Sequence, residues 1–174
     1  MEIATAQYIV SSPSVGKCPK PDRPEYAFIG RSNVGKSSLI NLLTGQGKLA
    51  KVSSSPGKTT LINHFLINAN PKDQSGGWFL VDLPGYGYAK RSQKQRAQWQ
   101  QMLAGYFQER PNLQTVFVLI DSRLSPQKID LEFLVQLGGW GVPFNLIFTK
   151  SDKSTQSVTA KNVRSFIDRM KADW

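Results

Sequence analysis

The chain has 174 residues, 40% of them hydrophobic, enough to build one core in one domain without disulfides or structural metal. Its one cysteine, Cys18, and one histidine, His64, exclude an intrachain disulfide and a Cys/His zinc cluster, and no apolar run is long enough to insert in a membrane. A formal net charge of +10 favours a polyanionic partner, nucleic acid or an anionic surface, and a reducing cytoplasm is the expected compartment.

Residues 1–24 read as an N-terminal extension to a single domain, and Met1 to Val10 has neither the basic start nor the apolar run of a leader. Tyr26–Ile29 is a short buried strand running into a glycine, and Lys36–Leu43 is a helix stopped by Gly45. Between them, Gly30-Arg31-Ser32-Asn33-Val34-Gly35-Lys36-Ser37 fits G-x-x-x-x-G-K-[ST] in full. The spacing has a mechanism. Glycines let the backbone curl so that N–H groups and the helix N-terminus face phosphates, Lys36 neutralises the β/γ oxygens, and the Ser37 hydroxyl takes a Mg²⁺ position.

Leu61–Asn68 and Trp78–Val81 are rich in strand formers, and the turn residues between them predict an antiparallel pair forming one edge of the sheet. Asp82-Leu83-Pro84-Gly85 then follows a strand, where a nucleotide-hydrolysing site needs a carboxylate near the metal and a glycine N–H near the γ-phosphate. Ser92 is placed to cap a helix whose apolar face is Trp99, Met102, Leu103, Tyr106 and Phe107, a spacing that marks core. Thr115–Ile120 and Pro143–Phe148 are apolar runs fit for strands covered on both faces. Ser125-Pro126 opens a helix between them that runs through Leu137 and ends at Gly138-Gly139.

After the second of these strands comes Thr149-Lys150-Ser151-Asp152. An aspartate there accepts two hydrogen bonds from the N1–H and exocyclic amine of guanine, a donor pair that adenine lacks, and the Lys150 stem lies along the base plane. A final helix from about Ser157 carries Val163, Phe166, Ile167 and Met170 on one stripe. The fold class is α/β: a mostly parallel sheet with one antiparallel edge strand and helices on both faces.

Charge is unevenly placed. From Tyr26 through Lys72 there is no acidic residue, and between Tyr26 and Gln108 only Asp73 and Asp82 are acidic, while Lys90, Arg91, Lys94 and Arg96 follow the D-x-x-G stretch. A positive face around the phosphate loop suits RNA.

The stretches Pro24 to Asn41, around Gly30–Ser37, and Asp82-Leu83-Pro84-Gly85-Tyr86-Gly87-Tyr88-Ala89 resemble the EngB-type bacterial GTPases, also called YihA or YsxC type, of the TrmE-Era-EngA-EngB-septin-like class. That pattern covers essentially the whole chain. The resemblance implies a Ras-like P-loop GTPase fold, GTP hydrolysis with Mg²⁺, a role in assembling the large ribosomal subunit, and a requirement for normal cell division. It makes Pro56-Gly57-Lys58-Thr59-Thr60 the first switch, with Thr59 closing on Mg²⁺. It also implies a further C-terminal strand, a guanine-binding serine turn and a last helix, which do not precede Trp174, so that a chain cut short or a weaker base site is expected.

The resulting assignment gives catalysis to Lys36, Asn33, Thr59 and Gly85. Nucleotide contact falls to Gly30, Arg31, Ser32, Asn33, Val34, Gly35, Lys36, Ser37, Ser38, Gly57, Lys58, Thr59, Thr60, Leu61, Asp82, Leu83, Pro84, Gly85, Thr149, Lys150, Ser151 and Asp152. The metal goes to Ser37, Thr59 and Asp82, and GTP or GDP with Mg²⁺ are the expected cofactors. Asn33 resembles the phosphate-loop asparagine through which related GTPases bind K⁺. Many Ras-like enzymes carry a water-orienting glutamine where this chain has Tyr86, so slow intrinsic hydrolysis is expected. The expected partner is the large ribosomal subunit or its precursor, bound through ribosomal RNA by a monomer. Two other readings stay open: a housekeeping nucleotidase, disfavoured by Thr149–Asp152, and a nucleotide-stabilised septation adaptor with negligible turnover.

Overall fold

The computed structural model describes residues 2–50, 61–87 and 92–172. Six strands form one sheet: β1 (Ala6–Ser12), β2 (Glu25–Gly30), β3 (Ile62–Ile67), β4 (Trp78–Asp82), β5 (Leu113–Asp121) and β6 (Phe144–Thr149). Four helices accompany them: α1 (Lys36–Leu43), α2 (Gln93–Glu109), α3 (Lys128–Gly139) and α4 (Gln156–Ala172).

Across the sheet the order is β1-β3-β4-β2-β5-β6. β2 pairs in parallel with β4 and β5, and β5 with β6, whereas β3 runs antiparallel to both β4 and β1. The single antiparallel strand is therefore not the edge that the sequence predicts. Part of the N-terminal extension, Ala6–Ser12, lies outside it, with the Ser11 hydroxyl donating to Asn63 at 2.5 Å across the pair. The sixth strand comes from the N-terminal side of the domain. At the other margin β6 is only half-buried, against the expectation of cover on both faces, because no described element lies outside it.

Alternation along the strands divides the core in two. Ala27, Ile29, Val81, Val116, Val118 and Ile120 face α2, α3 and α4 through Leu103, Tyr106, Leu134, Leu137 and Phe166. Phe28, Leu80 and Leu119 face α1 through Ile40, with Val34 from the phosphate loop beside them. Among the described residues helices thus occupy both faces, three on one and one on the other, and Trp78, Phe117 and Ile147 stay half-buried on the α1 side.

Local chemistry sets the helix ends. Ser92 caps α2 in a reciprocal box: its hydroxyl accepts from the Gln95 N–H at 3.3 Å, and the Gln95 side chain accepts from the Ser92 N–H at 3.0 Å. α3 starts three residues after Ser125, following an extended Gln127, and ends at Gly139, within the predicted Gly138-Gly139 stop. The turn that closes this end is made by Gly141 at φ 68°, where the Val142 N–H returns to Leu137 O at 3.1 Å.

One buried polar cluster escapes any reading of local sequence. Glu25, fully buried at the start of β2, accepts from Tyr106 Oη at 2.8 Å, Arg110 Nε at 3.2 Å, a second Arg110 nitrogen, and pairs with His64 Nε2 at 3.2 Å. Arg110 Nη1 also donates to Pro19 O at 2.8 Å. Burial opposes the charge on Glu25, but these partners hold its carboxyl at about 2. The cluster fixes the C-terminal end of α2 to the sheet.

Candidate nucleotide site

The site lies at the carboxyl ends of the parallel strands, where ligands of open α/β sheets bind. β2 ends at Gly30, and a Cβ there would stand 2.8 Å from Val34 Cγ1 and 3.0 Å from Leu119 Cβ, so no side chain fits. The chain curls through Asn33 at φ 62° and Gly35 at φ 104°, and α1 starts at Lys36 with no side chain capping its first turn. Those first-turn N–H groups are the ones a helix leaves for an anion.

Lys36 Nζ pairs with Asp82 Oδ1, and both side chains are nearly buried. Burial pulls the lysine down to about 7, and the adjoining carboxylate opposes that by favouring its charged form. Asp82 ends β4 in register with Phe28 of β2, which sets it beside the phosphate loop. Ser37 is half-buried on the first turn of α1, Ser32 half-buried in the loop, and Ser38 exposed. The lysine ammonium suits a polyphosphate, and the carboxylate and hydroxyl are hard oxygen ligands suited to Mg²⁺.

The D-x-x-G stretch is docked on this loop. A Cβ on Gly85 would come within 2.4 Å of Gly30 O, so only glycine allows the approach. Arg31 and Tyr86 form a parallel bridge, and the Pro84 carbonyl accepts from Trp99 Nε1 of α2 at 3.0 Å. Leu83 is fully buried, so any nucleotide contact there is left to its backbone. Tyr86 turns inward: it is 3% exposed and stacks on Phe133 of α3 with ring centroids 4.3 Å apart. Beside it lies Asp130, buried on α3 and 3.7 Å from Arg31 Nη1; burial raises its carboxyl above the usual range, with Tyr86 and Arg31 opposing.

A third loop leaves β6. The Thr149 hydroxyl donates to Val34 O at 2.7 Å, tying it to the phosphate loop. Lys150, in the left-handed region at φ 60°, sends Nζ to Asn33 O and to Asp121 Oδ2 at 2.9 Å. Its Cε passes 4.0 Å from the Cβ position of Gly35, so the stem lies over the loop. The Asp152 side chain is 70% exposed and pairs with Lys153 at 3.2 Å. Ser151 is exposed beside it.

The structure thus brings Gly30–Ser38, Asp82–Gly85 and Thr149–Asp152 to one end of the sheet, with Leu61 half-buried just before β3. Gly57, Lys58, Thr59 and Thr60, and Lys90 and Arg91, lie outside the described residues. Sequence reasoning missed Asp121, Asp130 and Trp99. The first had a legible signal, an aspartate at the carboxyl end of a parallel strand.

Comparison with known proteins agrees with this architecture. The family described as 50S ribosome-binding GTPase matches residues 25–150. A protein of Phocaeicola vulgatus named probable GTP-binding protein EngB is 55% identical over 174 residues, covering 100% of this chain and 84% of that protein. Among solved structures, a probable GTP-binding protein EngB superposes with TM-score 0.63 at 22% identity, over 84% of this chain and 80% of the other. A variant of Aquifex aeolicus Era bound to GDP and aluminium fluoride gives TM-score 0.66 at 20% identity, over 83% of this chain and 46% of that one. Both structural likenesses bear on the fold, which is that of Ras-like GTPases. With its phosphate loop, docked D-x-x-G stretch and third loop on that fold, the chain belongs to the 50S ribosome-binding GTPase family and, within it, to the EngB type.

Proposed function

We propose that this GTPase hydrolyses GTP with Mg²⁺ as a switch in assembly of the large ribosomal subunit, and that cell division depends on it through that role. The observation that carries the reading is the joining of three loops: Gly85 packs on Gly30, Lys36 pairs with Asp82, and Thr149 and Lys150 bond to Val34 and Asn33. A change in one loop is felt by the other two.

In this reading the N–H groups from Gly30 to Ser38 cradle the phosphates, and Lys36 exchanges Asp82 for their oxygens, so that the buried lysine keeps an anionic partner. Ser37, Asp82 and Thr59 would hold Mg²⁺, which would supply positive charge to stabilise the phosphate oxygens. Gly85 presents its N–H to the γ-phosphate, with Leu83 and Pro84 setting its place, and Gly57–Leu61 closes over the same group. Asp152 swings from Lys153 to the guanine edge, and the Lys150 stem covers the base. Tyr86 leaves the water-orienting place to other groups because its ring lies against Phe133; this supports slow intrinsic hydrolysis. K⁺ held by the Asn33 side chain is the proposed supplement. A ribosomal RNA partner is supported by the family description, by the net charge of +10, and by the acid-free stretch from Tyr26 through Lys72. The protein works as a cytoplasmic monomer; among the described residues no helix is long and apolar enough to cross a membrane.

Co-sedimentation with large-subunit particles in a GTP analogue, GDP and no nucleotide, across a salt series, tests the proposal. Binding should favour one nucleotide state and weaken steeply with salt. Binding blind to the nucleotide refutes the switch. The inward Tyr86 also favours a second reading, a nucleotide-stabilised septation adaptor with negligible turnover. Acceleration of GTP hydrolysis by large-subunit particles would exclude it.

A further inference from the structure

Asp121 ends β5 directly across from Thr149 of β6, at the margin of the base loop. Its carboxylate is crowded with donors. Arg123 Nε reaches Oδ1 at 2.9 Å, Arg123 Nη2 reaches Oδ2 at 2.8 Å, the Arg123 N–H reaches Oδ1 at 3.2 Å, and Lys150 Nζ reaches Oδ2 at 2.9 Å. The side chain is 11% exposed, and these donors hold its carboxyl well below the usual carboxylate range. It is a fixed negative charge on a rigid strand end.

What it holds is a lysine in a costly conformation. Lys150 has positive φ, where residues with a side chain are uncommon and persist only when surroundings over-determine them. Its stem has many rotamers to lose. Two contacts confine it: the Asn33 carbonyl on the phosphate loop and the Asp121 carboxylate on the sheet. The carbonyl belongs to a loop that meets phosphates, whereas Asp121 belongs to the core sheet and supplies the charge-assisted bond. Arg123 fixes the carboxylate from the solvent side and lies within electrostatic reach of Asp152. The next residue back, Ser122, donates to Thr149 O through its hydroxyl at 2.7 Å and its N–H at 3.1 Å, and its own carbonyl accepts from Asn162 of α4 at 3.0 Å. Asp121-Ser122-Arg123 therefore anchors the first two residues of the base loop, Thr149 and Lys150.

We infer that Asp121 is a positioning residue for guanine-nucleotide binding: clamped by Arg123, it holds the Lys150 stem where the base must lie. The inference rests on the reading of Thr149–Asp152 as the guanine-binding loop.

The test uses the full chain and fluorescent GDP. A preference for GDP over ADP in the unsubstituted protein is established first; its absence overturns the base-loop reading and this inference with it. Given that preference, Asp121→Asn should release GDP about ten-fold faster, the loss expected for one charge-assisted bond. Lys150→Met should show a similar increase, and adding Asp121→Asn to Lys150→Met should change the rate by no more than about two-fold, since residues acting through one contact are not additive. A carboxylate with a merely structural role would multiply its effect onto that of Lys150→Met, and multiplicative rates overturn the inference. So does an unchanged release rate in Asp121→Asn protein that keeps the guanine preference. If Asp121→Asn does not fold, Arg123→Gln carries the same cycle, because its side chain is 42% exposed and its removal leaves the strand end intact.

Discussion

Replacing Glu25 with glutamine removes the charge at the centre of the buried cluster while keeping its shape. His64, Arg110 and Tyr106 hold the carboxyl at about 2 against burial, from an ordinary 4.5. At about 1.4 kcal/mol per unit, a depression of that size is worth about 3 kcal/mol of stability at neutral pH. A buried arginine left without its carboxylate gives a second route to the number, about 3–5 kcal/mol. The two routes agree, so Glu25→Gln should shift the urea midpoint by roughly 1 M with its slope unchanged, at about 2–3 kcal/mol per M. Because the folded value lies below the unfolded one, this stability is fully present well above 4.5 and is lost as pH falls toward 2. The gap between the two proteins should accordingly be about 1 kcal/mol narrower at pH 4 than at pH 7. GDP affinity should stay within about two-fold, since Glu25 and the phosphate loop lie at opposite ends of β2. A midpoint at pH 7 within about 0.3 M of the unsubstituted protein would refute the argument, because an ionised Glu25 could not then be compensating Arg110.

Four further outcomes follow from the site. Asp152→Asn should lose GTP affinity by at least about 100-fold and gain xanthosine triphosphate, read by competition binding; an unchanged preference for GTP over both ATP and the xanthine nucleotide refutes the guanine assignment. Thr149→Val, which removes the 2.7 Å bond to Val34 O and keeps the volume, should weaken GDP binding about 5- to 30-fold by calorimetry, and no loss would mean that the two loops are not coupled. Lys36→Ala should abolish measurable GTP binding in calorimetry, whereas Ser37→Ala should weaken it chiefly in the presence of Mg²⁺; equal metal dependence would remove Ser37 from the metal. Turnover should be faster in K⁺ than in Na⁺ at equal ionic strength, with Asn33→Ala erasing the difference, and identical rates in the two salts would leave a protein or RNA partner as the remaining accelerator.

The parts of the site legible in the sequence are those where backbone geometry dictates residue type. Gly30 and Gly35 are demanded by a loop with no room for Cβ and by a positive φ, and Gly85 by its approach to Gly30 O; each leaves a fixed-spacing trace. The Ser92 cap was readable for a similar reason, because a capping box is local. β1 was not, since Ala6–Ser12 is a mostly half-exposed edge strand whose alternation is weak and whose register depends on a partner some fifty residues on. Glu25, His64 and Arg110 are polar residues that sequence patterns assign to the surface, and only the fold shows that they satisfy one another. Asp121 left a trace in its place at the end of a parallel strand, but its partner, a lysine from the loop after β6, is shown only by the fold.

β1 carries a consequence for how the protein is handled. Without it, β3 would present a bare row of backbone donors and acceptors along Ile62–Ile67, a run with four buried apolar side chains, Ile62, Phe65, Leu66 and Ile67. Exposed edges of that kind recruit strands from neighbouring molecules. The region matched to the GTPase family begins only at residue 25, so a fragment trimmed to that boundary keeps every nucleotide motif and discards the strand that shields the sheet. Such a fragment should clump during expression although its chemistry is complete. Affinity tags and fusion partners belong on a leader that leaves Ala6–Ser12 free to pair, because this short segment covers the β3 edge and supplies no nucleotide motif.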